Sequence, residues 1–110
     1  MSGSGSASFG GLFGQNSSGT LCENIRFTAQ LSSPNSTVIS QLQVGYIMDI
    51  QQNNQHGLSL TVAVFNGQVA GGIASPQIQR IRECIDLGTR YVAEVTQING
   101  GQVMVKVYAV

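Results

Sequence analysis

The chain has 110 residues, of which 9% are charged, and its five Lys/Arg balance its five Asp/Glu. That length holds one domain, or one domain and a tail. Such low, balanced charge with 42% hydrophobic residues excludes a wholly disordered chain and a strongly basic nucleic-acid binder of the usual kind. No apolar run approaches the roughly 18 residues of a membrane-spanning helix.

Residues 1–20 read MSGSGSASFGGLFGQNSSGT, rich in Gly and Ser without hydrophobic period, and are predicted to be a disordered tail. The domain is predicted over residues 21–110. Ile25, Phe27, Ala29 and Leu31 alternate with polar residues, which predicts a half-buried strand. Ser33-Pro34 offers an N-cap and a first-turn proline. Val38, Ile39 and Leu42 follow at helical spacing, and Gly45 closes that segment. Tyr46, Met48 and Ile50 open a second strand. Asn53 to Gly57 reads as a turn, and Leu58, Leu60, Val62 and Val64 as a third strand.

Asn66-Gly67 is a strong turn signal, followed by a short strand from Val69 to Ala74 that Gly71 and Gly72 loosen. Ser75-Pro76 repeats the cap-and-proline pair. Ile78, Ile81 and Ile85 share one helical face with Cys84 beside them, and Gly88 stops the helix. Arg90 to Ile98 is a strand, Asn99-Gly100-Gly101 a hairpin turn, and Val103, Val105, Val107 and Ala109 alternate to the end. The same order, strand, Ser-Pro, helix, Gly, strand, turn, strand, thus occurs twice. The fold class predicted is α+β: a small six-stranded β-barrel-like domain from two βαββ units with two helices and a pseudo-twofold. Closure would also remove exposed sheet edges, which few charges here protect.

Chemistry-bearing residues are sparse. Cys22 and Cys84 are too few for a disulfide scaffold and are expected to be two free thiols, with Cys84 partly buried, a single bridge between them being the alternative. The only histidine, His56, lies in a polar loop run. Asp49 and Glu94 occupy corresponding strands, where symmetry could bring them together as an acid/base pair; the commoner outcome is that both face solvent. No nucleophile elbow or phosphate-binding loop motif is present. Gly71-Gly72 before the second helix marks a bulge or tight turn, with an anion site at that helix start as the alternative. No catalytic residue, metal site or cofactor is assigned, and the chain is read as not an enzyme.

Four of the five basic residues, Arg80, Arg82, Arg90 and Lys106, fall after residue 79. With Tyr91 or Tyr108 as a stacking ring they would form a small patch for weak, salt-sensitive contact with single-stranded nucleic acid. The alternative is ordinary surface charge paired with Glu83, Asp86 and Glu94.

From about residue 42 to 98 the layout resembles HIRAN domains. The residues carrying it are Val44-Gly45-Tyr46-Ile47-Met48, then Leu60 to Phe65, then Asn66-Gly67-Gln68-Val69-Ala70-Gly71-Gly72-Ile73, then Gly88-Thr89-Arg90-Tyr91-Val92 after a helix. The family's acidic run is replaced here by Gln52-Asn53-Asn54-Gln55-His56-Gly57. The resemblance implies a small β-barrel that accompanies helicases and nucleases and binds DNA, notably single-stranded ends. Each half is also similar in element order to the swapped-hairpin barrels of bacterial transition-state regulators.

The function expected is therefore a non-catalytic accessory binding module with weak affinity for single-stranded DNA. The alternative is a protein-interaction or oligomerisation module with no nucleic-acid role. A basic, apolar leader is absent at the N-terminus, so a cytoplasmic location and no membrane partner are expected.

Overall fold

The computed structural model describes residues 21–55 and 57–110. The tail predicted over residues 1–20 and His56 lie outside them. A 3-10 turn, Cys22–Asn24, leads into β1 (Arg26–Ser32), α1 (Ser36–Ile39), β2 (Ile47–Gln55), β3 (Leu58–Phe65) and β4 (Gln68–Ile73). Then come α2 (Ile78–Asp86), β5 (Tyr91–Asn99) and β6 (Gln102–Ala109). The α+β reading with six strands and two helices holds for the described residues. All pairings are antiparallel and return on themselves in the order β1-β4-β3-β2-β5-β6, with β6 back against β1.

The interior follows from strand alternation. Ala29 and Leu31 of β1, Met48 and Ile50 of β2, Ala93 and Val95 of β5, and Val103, Val105 and Val107 of β6 are all buried in one core. Val38 and Ile39 of α1 and Ile81 and Cys84 of α2 complete it. β3 departs from its own pattern. Its core residue is Ala63, directly opposite Ile50, so period two puts Leu60, Val62 and Val64 on the outer face. Leu60 accordingly remains 44% exposed.

Three local expectations are corrected. Asn35, not Ser33, caps α1: its Oδ1 accepts from the Thr37 amide at 3.1 Å, while Ser33 turns the chain at φ 47°. The helix then stops after one turn. Ser and Thr are weak helix formers, and the Ser40 hydroxyl donates back to the Thr37 carbonyl at 2.8 Å. Second, the polar run Asn53–Gln55 is strand rather than turn, paired with residues 58–60. Third, Cys22 and Cys84 are joined in a disulfide, with Cα atoms 5.6 Å apart. The fold brings the 3-10 turn onto the buried face of α2, a proximity that spacing along the chain does not encode.

The end of α2 at Gly88 agrees with the sequence, whereas α1 ends at Ile39, well before Gly45. Gly45 and Gly88 take φ values of 96° and 103°, where a side chain is strained, and turn the chain into β2 and toward β5. Asn66 and Gly67, at φ 50° and 78°, make the tight primed turn that a twisted two-residue hairpin favours.

Candidate functional site

Of the predicted basic residues, Arg80 and Arg82 lie on α2, Arg90 just before β5 and Lys106 on β6. Arg80 lies on exposed α2 surface, 3.8 Å from Glu83. Arg90 donates to Asp49 Oδ1 at 2.7 Å across the β5–β2 seam. Lys106 lies 5.7 Å above the Tyr108 ring, and the Tyr108 hydroxyl donates to Glu94 Oε1 at 3.3 Å. Loss of hydration, and after it the Glu94 carboxylate, hold the Tyr108 proton on and raise its pKa.

Tyr91 is corrected as a stacking residue. It is 0% exposed, and its hydroxyl donates to the Cys22 carbonyl. Burial pushes its phenol pKa up, with the Arg80 guanidinium pulling the other way. A ring enclosed in the core offers no face to a base. Asp49 and Glu94 make no acid pair either, since one is bound by Arg90 and the other by Tyr108. No group of three or more His, Cys, Asp and Glu side chains is arranged to hold a metal among the described residues.

Arg82 differs from the other predicted cations. It is half-buried on α2, and its carbonyl accepts from Gln52 Nε2 of β2 at 3.3 Å. The ion pairs among the described residues are Arg80–Glu83 and Arg90–Asp49, so Arg82 has no carboxylate partner there.

Arg82 borders a groove of about 600 Å³ between β3, the end of β4 and α2. Leu60, Val62 and Val69 line it from the outer faces of β3 and β4, and Ile78 from α2. Gly71 and Gly72 form part of the same wall. The sequence reading missed this groove, because it took the alternating leucines and valines of β3 simply as strand pattern. The available signal was an apolar alternation longer than the strand that follows it across the Asn66-Gly67 turn.

The groove exists because β4 changes partners. Its pairing with β3 reaches Val62↔Gly72 and goes no further. Gly72 and Ile73 then pair with Ser32 and Leu31 of β1. A Cβ on Gly71 would meet the Ser32 carbonyl oxygen at 3.0 Å and Leu31 Cβ at 3.2 Å, and one on Gly72 would meet Ser32 Oγ at 2.8 Å. The two glycines therefore permit a close crossing beside a shift in register between Ala63 and Val64. Beyond that crossing, residues 58–61 of β3 pair with β2 on one side and with no strand on the other.

Compared with known proteins, the chain matches no family model, no curated protein and no solved structure. Among the described residues no helix is long and apolar enough to cross a membrane.

Proposed function

We propose that this chain is a non-catalytic protein-binding module that takes an extended segment of its partner along the uncovered edge of β3. The observation that carries this reading is the unpaired stretch 58–61 beside an apolar groove. A strand edge supplies backbone donors and acceptors at a fixed spacing, and flanking side chains add selectivity. Leu60 and Val69 are exposed on the strands that form the groove wall, so burying them on binding adds a hydrophobic gain.

The nucleic-acid reading, with its HIRAN-like layout, shares the non-catalytic part of this proposal and differs in the partner. It needs a continuous cationic face, and Arg80, Arg90 and Lys106 each have an acidic group nearby. Two βαββ units also belong to the proposal. They are supported by strand pairings that stay the same when β1 is exchanged with β4, β2 with β5 and β3 with β6. The disulfide favours an oxidising compartment over the cytoplasm expected from free thiols.

The test is an amide NMR titration of the oxidised chain with the neutral peptide acetyl-Val-Thr-Val-Thr-Val-amide, and separately with a short oligothymidine. The expected result is saturable shifts at Ser59–Val62 and Gly71–Ile73 with the peptide and none with the oligonucleotide. Salt-sensitive shifts at Arg80, Arg90 and Lys106 with oligothymidine, and none with peptide, would replace this reading by the nucleic-acid one.

A further inference from the structure

We infer that the β3 groove selects a peptide carrying a carboxylate, a free C-terminus being the simplest case, and that Arg82 is the residue that reads it. This rests on the reading of the β3 edge as the docking strand. The inference follows from the charge of the groove. Its walls are Ser, Asn, Thr, Gly, Ala and aliphatic residues, and Arg82 is the sole ionisable side chain among them.

The surrounding acids do not serve Arg82. Arg82 also lines a second, smaller cavity with Glu83 and Asp86, but the ion pairs among the described residues join Glu83 to Arg80 and Asp49 to Arg90 and leave Arg82 out. A half-buried guanidinium without a counter-ion favours an anionic ligand, because carboxylates accept two parallel N–H bonds from its planar fork. Partial burial limits the solvent screening that weakens exposed pairs.

Geometry places that charge beside the strand edge. The Gln52 amide bonds the Arg82 carbonyl, Gln52 pairs with Thr61, and the Ser59 hydroxyl donates to Gln52 Oε1 at 3.1 Å. Gln52 thereby ties α2 to the hairpin at the level where β3 lacks a second neighbour. A strand added along 58–61 enters the groove that Ile78 and Arg82 of α2 also line. The apolar wall accepts alternate side chains, and the end of the chain meets the guanidinium.

The experiment compares acetyl-Val-Thr-Val-Thr-Val as the free acid and as the amide, titrated into the oxidised chain and into Arg82→Gln. The free acid is expected to bind about tenfold more tightly than the amide, the scale of one charge-assisted hydrogen bond. Arg82→Gln is expected to remove that difference while leaving amide binding unchanged. Equal affinity of the two peptides, or a preference that survives in Arg82→Gln, overturns the inference and leaves the docking strand standing. Failure of both peptides to bind overturns the docking strand itself.

Discussion

Thr61 shows how a strand residue can be well placed for the fold and poorly satisfied. It is buried, and its hydroxyl has no hydrogen-bond partner among the described residues. Its neighbours on the same face are Ala63 on β3 and Gln52 across the pair. Burying a hydroxyl without a partner costs about 1–3 kcal/mol. Thr61→Val keeps the branched shape and removes the polar atom. It is expected to stabilise the chain by about 1 kcal/mol, seen as a higher urea midpoint with an unchanged slope. A midpoint that falls would mean that the hydroxyl is satisfied in solution. At the same scale the site was half legible. Arg82 is found from charge alone, but its lack of a counter-ion depends on which way each turn of α2 faces. Tyr91 reads as an accessible ring because it follows Arg90 directly; its burial follows from strand phase and from the closeness of Cys22.

The elements that could be read in advance are those fixed by local chemistry. Asn66-Gly67, Gly45, Gly88 and the Asn99-Gly100-Gly101 turn each require a backbone conformation that few residues accept, so the sequence marks them. The elements that could not be read depend on distant partners. Asn53–Gln55 form strand because residues 58–60 lie opposite and because Gln52 is anchored to α2, while their polarity alone suggests a loop. The seam between β1 and β4 is the thinnest in the ring, with Leu31↔Ile73 and Ser32↔Gly72 as its paired residues. It tests the glycine argument. Gly71→Ala drives a methyl against backbone and Cβ atoms, which are rigid, and is expected to cost about 1–3 kcal/mol. Gly72→Ala crowds the Ser32 hydroxyl, which can rotate away, and meets the Ser32 and Thr61 carbonyl oxygens only at ordinary contact distance; it is expected to cost less. Thermal unfolding of both variants decides it; an equal loss would mean that the seam yields as a whole.

At the scale of the molecule, the exchange of halves leaves two seams unchanged, β1–β4 and β2–β5. Leu31 pairs with Ile73 in the first and Asp49 with Val92 in the second. The element order was legible from the repeated Ser-Pro and Gly positions, but the disulfide was not. It links residues 62 positions apart, and no pairing of two cysteines is specified by spacing. Closing a loop of that length restricts the unfolded chain by about 4 kcal/mol on the chain-entropy model. Cys22→Ser is expected to lower stability by up to that amount and to lower the melting temperature. Cys84→Ser should do the same, with an added loss from the sulfur buried in the core. An unchanged melting temperature in both would show that the bridge does not constrain the chain in solution.

The same bridge sets how the molecule would carry a load. Tension applied at the two ends enters at Leu21, crosses from Cys22 to Cys84 through the sulfur atoms, and continues along the chain through β5 and β6. Everything from β1 through β4, including the uncovered edge of β3, lies inside the covalent loop and off that path. Tension entering at Leu21 would therefore strain the last hairpin before it reached the groove.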